Sequence, residues 1–158
     1  MDKQWLVNLC TRGWSLKALA LLADGCPARV SPLAVAAGCG RTAMGDTFKH
    51  LVALGLLQRN PGYGHPLRPE YQLTTMGEEV AAWALSLDRL LPEPEDNQIV
   101  RSKWALPVVS ALDSNRRYSA VRKKLSPVSD RALSQCFSRL AQRHWICLLY
   151  TSPSPRDS

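Results

Sequence analysis

The sequence predicts a mainly α-helical protein with one small β-hairpin wing, an α+β class, built from two tandem modules of which the second is incomplete. Three observations indicate this. Apolar residues recur at helical spacing over most of the chain. A stretch rich in glycine and proline, residues 60–69, separates two short strand-like segments. The pattern of the first part of the chain then recurs at an offset of 88 to 90 residues, which indicates an internal duplication.

The first module begins with a predicted helix over Ser15–Ala23. Ser31 followed by Pro32 is typical of the start of a second helix, because a serine cap and a proline both suit the unsatisfied amides there. Gly38–Gly40 would form a turn that leads into a third helix, Arg41–Leu54. The apolar residues of this third helix share one face and are expected in the core: Met44, Phe48, Leu51 and Val52.

A hairpin and a closing helix complete the first module. The hairpin is predicted over residues 57–73, and Thr75 with Glu78 would form a capping box for a helix that ends at Leu91. Helix, turn, helix, hairpin and helix in this order are typical of a winged helix-turn-helix. That fold usually places one helix in the major groove of DNA and a loop against the backbone.

The second module repeats the first up to the hairpin. Trp14 and Phe48 recur as Trp104 and Phe137, and the core triplet of the third helix recurs as Leu133, Phe137 and Leu140. The three corresponding helices are predicted at Trp104–Leu112, Ser119–Leu125 and Ser129–Arg143.

The domain boundaries follow from composition. Residues 1–92 would form the first module, the proline-acidic residues 93–98 a linker, and residues 99–146 a truncated second module. Residues 147–157 resemble, residue for residue, one translated reading frame of a transposase-type sequencing adapter. We therefore expect residues 147–158 to be an artefactual disordered tail, and the natural protein to continue beyond Ile146; a natural Ser/Pro-rich end is the alternative.

Charge is concentrated in the second module. Residues 97–146 hold ten Lys/Arg and two Asp, giving +8, whereas residues 1–96 hold nine Lys/Arg and ten Asp/Glu, giving −1. Such concentration is typical of a protein that binds a polyanion. A solvated charged face is the alternative.

The two modules resemble HxlR-type winged helix-turn-helix transcriptional regulators of the broader MarR-like group. The resemblance is carried by residues 102–104, 117–122 and 128–135 of the second copy, and by residues 54–59 and 71–74 around the predicted wing of the first. It implies a repressor of transcription that binds double-stranded DNA; no cofactor is expected. A cytoplasmic location is expected because the apolar runs are too short to span a bilayer and residues 1–5 lack the features of a secretion signal. Family members usually have one such module and dimerise, so the tandem arrangement departs from the pattern.

DNA contacts are expected from three sets of residues. Burial of the apolar face of each third helix would leave a polar face toward the base edges, where Arg and Gln can read guanine and adenine: Arg131, Ser134, Gln135 and Ser138, with Arg41 and Thr42 in the first copy. Other cations would contact phosphates, which set affinity and salt dependence: Arg116, Arg117, Arg122, Lys123, Lys124, Arg139, Arg143 and Lys49. The wing would contribute Arg59, His65 and Arg68.

The resemblance also suggests a dimer contact. Trp83, Leu87 and Leu91 of the closing helix could pack against a second subunit, or could equally cover the module's own core.

Other function classes receive less support. A winged-helix adaptor that binds an acidic protein partner is the main alternative to a DNA-binding regulator. An enzyme is not expected, because no phosphate-binding glycine loop, metal cluster or nucleophile with a recognisable base is present. The five scattered cysteines support neither a zinc site nor disulfides. Cys10 near Arg12 is either a silent structural thiol or a redox sensor.

Overall fold

The computed structural model describes residues 2–65, 68–114 and 117–147, without the side chains of residues 61–65, 68, 69 and 114. This part of the chain contains nine helices: α1 Lys3–Cys10, α2 Ser15–Ala23, α3 Val30–Ala37, α4 Arg41–Ala53, α5 Thr75–Leu90, α6 Pro94–Val100, α7 Ala105–Ser114, α8 Tyr118–Lys124 and α9 Asp130–Gln142. Two strands, β1 Leu57–His65 and β2 Arg68–Leu73, form an antiparallel hairpin. The mainly helical α+β class is therefore confirmed.

The chain divides into two compact units, one of which combines two separate segments of the chain. The inner unit is residues 12–93, and the outer unit joins residues 2–11 to the described residues between 94 and 147. The predicted first module began at residue 1, but α1 packs on α7 and Val7 lies in the core of the outer unit. The predicted linker 93–98 is helical from Pro94, as the start of α6.

The inner unit is built around α2, which packs against α3, α4 and α5. The hairpin follows α4 and is tied to the helices by a backbone bond of 2.9 Å from the Tyr71 amide to the Ala28 carbonyl. The Tyr71 ring also meets Phe48 edge-on, with centroids 5.0 Å apart. These contacts hold β2 against the segment between α2 and α3 and against the middle of α4.

Both strands are longer than the sequence indicated. The pairing runs from Leu57 opposite Leu73 to His65 opposite Arg68, with a register shift between Arg59 and Gly64. Residues 60–65, which the sequence placed in a loop, therefore belong to β1. Glycine and proline are disfavoured within regular strands, and irregular register is a common way to accommodate them.

Two predicted helix caps were wrong. α3 begins at Val30, with Arg29 at the cap position and no side-chain cap, so Ser31 lies within its first turn. The cap of α5 is Thr74, whose hydroxyl accepts from the Gly77 amide at 3.0 Å, so Thr75 is already helical. The Thr74 hydroxyl also donates to the Gly55 carbonyl at 2.7 Å, and this bond to the end of α4 selects it over its neighbour.

The predicted core triplets are confirmed in both units. Met44, Phe48 and Leu51 of α4 are buried, as are Leu133, Phe137 and Leu140 of α9. Val52, predicted on the same face of α4, is instead 41% exposed. It follows Leu51 by one residue, which on a helix turns its side chain by about 100° away from the core.

The core of the outer unit is assembled from both ends of the chain. Val7 of α1 and Ile99 of α6 join residues from α7, α8 and α9 in one buried cluster. Trp104, Trp145 and Ile146 pack against it with partial exposure. Ser129, predicted as the first residue of the third helix, is instead the cap of α9, where it accepts a hydrogen bond from the Ala132 amide at 3.1 Å.

Candidate nucleic-acid interface

α9 combines a buried apolar face with a polar exposed face. Leu133, Cys136, Phe137 and Leu140 are buried, and their spacing of three and four residues places them on one side of the helix. The other side carries the residues that the sequence assigned to base reading and one assigned to phosphate contact, all exposed: Arg131, Ser134, Gln135, Ser138 and Arg139. The predicted orientation of this helix is therefore what the structure has.

Tyr118 of α8 fixes the start of α9. Its ring is buried and packs against Phe137, with centroids 5.5 Å apart. Its hydroxyl donates to the Asp130 carbonyl at 3.2 Å and shares a hydrogen bond of 3.2 Å with the Ser134 hydroxyl. The Ser134 hydroxyl therefore has a partner within the unit, whereas the sequence had assigned it only to a nucleic acid.

Four cations flank or belong to α8: Arg117 at its cap position, and Arg122, Lys123 and Lys124 in its last turn. Arg117, Arg122, Lys123 and Lys124 are all exposed. Arg122 pairs through Nε with Asp130 Oδ1 at 3.0 Å, and both side chains are about half exposed (47% and 56%). Because water screens an exposed pair of this kind, it contributes little to stability and mainly orients the guanidinium. Arg116 lies outside the described residues.

Arg143 has a structural partner that the sequence did not indicate. Its Nε and Nη2 donate to Asp96 Oδ1 and Oδ2, each at 3.1 Å. Trp145 Nε1 adds a third bond to Oδ1 at 2.8 Å, and Asp96 is only 8% exposed. The hydrogen bond from Arg143, followed by that from Trp145, lowers the pKa of the Asp96 carboxyl. This cluster joins α6 to the end of α9.

No local pattern could have revealed the Asp96 cluster. Asp96 stands in a proline-acidic segment that reads as a linker, and its partners lie 47 and 49 residues away. Arg143 was instead assigned to DNA phosphates because it belongs to the basic segment.

α4 of the inner unit has a similar but weaker polar face. Arg41, Thr42 and Lys49 are exposed, while Asp46 and His50 are partly buried. Gly40 occupies the cap position before α4 and offers no side-chain cap, in contrast to the Ser129 cap of α9.

The hairpin bears one predicted wing cation with a described side chain. Arg59 is exposed, in register with Tyr71. His65 and Arg68 are paired at the far end of the hairpin, and their side chains lie outside the described part of the structure.

α5 presents an apolar stripe to solvent along its length. Met76, Trp83 and Leu90 are 45%, 38% and 76% exposed, at a spacing of seven residues. The adjoining face, including Val80, Ala81 and Ala84, is buried in the inner unit. Of the predicted dimer contacts, Trp83 lies on the exposed stripe, whereas Leu87 and Leu91 are partly buried.

Two thiols of the described residues, Cys10 and Cys136, are buried. Burial raises the pKa of Cys10 to about 12, and the same cause raises that of Cys136 to about 12. Arg12 does not offset this at Cys10, so the thiol stays protonated and poorly nucleophilic. Within the described ranges, His, Cys, Asp and Glu do not gather in threes as a metal site requires. Over those same ranges, every helix is too short or too polar to cross a membrane.

Comparison with known proteins gave no match to a protein-family model, a curated protein or a solved structure.

Proposed function

We propose that this chain is a sequence-specific DNA-binding transcriptional regulator, with two tandem winged helix-turn-helix modules of which the second is incomplete, that acts as a repressor by covering a promoter. The observation that carries the proposal is the polar face of α9. Its core side is buried, and its outer side offers Arg131, Gln135 and Ser138 within a basic segment. An exposed helix with such side chains suits the width of the major groove.

Charge supports a nucleic-acid partner over a neutral one. Residues 97–146 carry +8, from ten Lys/Arg against two Asp. Neutralising phosphates with these cations releases counterions, so the affinity would fall steeply with salt. Lys123, Lys124 and Arg139 are suited to phosphate contacts. Arg143 is held by Asp96 and is therefore no longer proposed as a phosphate contact.

Arg131 and Gln135 are the strongest candidates for base reading. They are exposed on successive turns of α9, and their planar ends can each form two hydrogen bonds with one base. Ser134 would contribute less, because its hydroxyl is already bonded to Tyr118.

The inner unit would support the complex rather than dominate its specificity. Its helix α4 would approach DNA through Arg41 and Thr42, with the hairpin as a wing that brings Arg59 to the backbone. Its lower charge density favours a role in assembly.

Assembly would occur through α5, in a homodimer. The stripe of Met76, Trp83 and Leu90 repeats every seven residues, as in helices that pair along a seam. In an antiparallel pair with its two-fold axis at Trp83, Met76 of one copy would lie opposite Leu90 of the other. Trp83→Ser with Leu90→Ser should then yield monomers in sedimentation, while the exposed pair Val35→Ser with Val52→Ser should leave the mass unchanged.

The test of DNA binding starts with selection of duplexes from a random library, followed by anisotropy titrations with a selected and a scrambled duplex. Arg131→Ala should relax discrimination at one base pair by about 1–3 kcal/mol. Lys123→Ala should weaken binding to both duplexes alike. Arg41→Ala makes the matched substitution in α4 and should change the discrimination between duplexes less than Arg131→Ala does, because the inner unit is not expected to dominate specificity.

A uniform loss from both Arg131→Ala and Lys123→Ala would show that α9 is not the reading helix. Failure to enrich any duplex, with weak binding to all sequences, would favour an adaptor for acidic protein partners.

A further inference from the structure

A concave groove lies beside the turn between α8 and α9. It has a volume of about 470 Å³ and is lined by Tyr118, Ser119, Arg122, Lys123, Ser126, Pro127 and Val128. This volume falls within the range of about 300–1,000 Å³ that is typical of small-molecule sites. The groove belongs entirely to the outer unit.

The polar part of the lining is suited to an anion. Arg122 and Lys123 supply two positive charges, Ser119 and Ser126 add hydroxyl donors, and the lining contains no carboxylate. Asp130, outside the lining, holds Arg122 through Nε at 3.0 Å. Arginine has five N–H donors, so this bond orients the guanidinium while leaving its other edge able to bond a ligand.

The remaining lining is apolar. Val128 is buried, Pro127 is exposed, and the Tyr118 ring is buried with its hydroxyl directed to Asp130 and Ser134. A site that combines cations and hydroxyls with an apolar wall is suited to an anionic group attached to a small organic molecule.

We propose that this groove binds a phosphate dianion, carried as a monoester by a small organic molecule or as the free ion. Lys123 and Arg122 would bond the phosphate oxygens with help from Ser119 and Ser126, and Pro127 with Val128 would contact the organic part. This site goes beyond the proposed DNA binding and does not require it.

A bound phosphate would act on α9 through two contacts. Arg122 bonds Asp130 in its first turn, and Tyr118 bonds Ser134 one turn further. A ligand that draws on Arg122 and Lys123 would also compete with a nucleic acid for the same cations. Binding of the small molecule would therefore weaken binding of a duplex.

The test is an amide NMR titration of the full chain without DNA, at fixed ionic strength. Phenyl phosphate is the probe, with inorganic phosphate and phenol as parallel arms. Lys123→Met is compared with Lys124→Met, which removes the same charge one residue away from the lining. Ser119→Ala is a second, milder change within the groove.

Support would be a saturable shift of amides 118–128 by phenyl phosphate, with affinity reduced about tenfold by Lys123→Met, as expected for loss of a charge-assisted bond. Lys124→Met should change it less than twofold, and Ser119→Ala by an intermediate factor. Equal binding of inorganic phosphate would assign the free ion as ligand, and weaker binding would assign a monoester.

Two results would overturn the proposal: equal losses from Lys123→Met and Lys124→Met, which indicate diffuse attraction, or shifts by phenol that match those by phenyl phosphate. A protein that binds phenyl phosphate here but no duplex would refute the proposed regulator and leave this site standing.

Discussion

Phe48 of the inner unit and Phe137 of the outer unit occupy equivalent positions in α4 and α9, and both are buried, but their aromatic partners differ. Phe48 meets Tyr71 of β2 edge-on, whereas Phe137 packs against Tyr118 of α8 at an interplanar angle of 36°. The two units thus keep one core position and complete it with rings from different elements. A repeated core can be filled by whichever segment the chain brings to it.

The same difference appears in how the units are closed. In the inner unit α5 packs on α2, and in the outer unit α1, from the opposite end of the chain, packs on the equivalent helix α7. Repetition of sequence therefore predicts the three shared helices of each unit, but not the helix that covers them.

The largest expected effect tests the packing of α1 against the core of the outer unit. Val7→Asp would bury an unpaired charge in the outer core, where Val7 is 6% exposed. It should destabilise the outer unit by about 3–5 kcal/mol. Hydrogen exchange should accelerate at Leu133 to Leu140 and remain unchanged in α4. Val35→Asp, at a site 82% exposed, is the control and should have little effect.

Gly77 tests the closure by α5. A Cβ at this position would overlap the Leu56 carbonyl oxygen, so α5 approaches the start of β1 only without a side chain. Gly77→Ala should lower the free energy of unfolding of the inner unit by about 1–3 kcal/mol, as overpacking does. Gly45→Ala meets no atom within 4 Å and should raise it by up to about 1 kcal/mol, because alanine favours a helix.

The ends of α4 and α9 offer a third comparison. Gly55 has φ +76° after α4, and His144 has φ +61° at the equivalent position after α9. For residues other than glycine, this left-handed backbone conformation costs about 1–2 kcal/mol. His144→Gly should therefore raise the midpoint of thermal unfolding of the outer unit, and Gly55→Ala should lower that of the inner unit. An unchanged midpoint for both would contradict the equivalence.

A smaller effect is expected at a position where the inner unit has a buried serine and the outer unit has an alanine. Ser15 is fully buried, and its hydroxyl has no hydrogen-bond partner among the described residues; the equivalent Ala105 is also fully buried. Ser15→Ala should stabilise the inner unit by about 0.5–1 kcal/mol, and Ala105→Ser should destabilise the outer unit. Denaturant titration of each variant gives both values, and a loss of stability in Ser15→Ala would reveal a bond to that hydroxyl.

The last prediction concerns the pH dependence of stability, through the buried Asp96 carboxyl of the outer unit. Arg143 first, then Trp145, holds the pKa of Asp96 below its ordinary value of 3.8. A carboxyl with a lowered folded pKa stabilises the fold above its unfolded pKa, and this contribution is lost as pH falls through the folded pKa. The outer unit should therefore lose stability below about pH 4. Asp96→Asn should flatten this acid dependence in thermal unfolding measured against pH.

Much of the candidate interface could be predicted from local sequence. The apolar spacing of α4 and α9 predicts which side chains are buried. It therefore also predicts which polar residues face solvent, because burial of one face of a helix leaves the other face exposed. The basic segment is also read directly from the sequence. The predicted Thr75 cap was wrong because the Thr74 hydroxyl also bonds the Gly55 carbonyl of another segment, which local sequence does not reveal. The predicted Ser31 cap was wrong because α3 already begins at Val30, without a side-chain cap.

The sequence by itself determined the helical class, the repeated core triplets and the position of the positive charge. Only the tertiary structure decided that α1 belongs with α7, that Asp96 holds Arg143 and that Tyr118 engages the Ser134 hydroxyl. The physical reason is range: periodicity and capping act within one or two turns, whereas these contacts join residues 16 to about a hundred positions apart, which only the packed chain brings together.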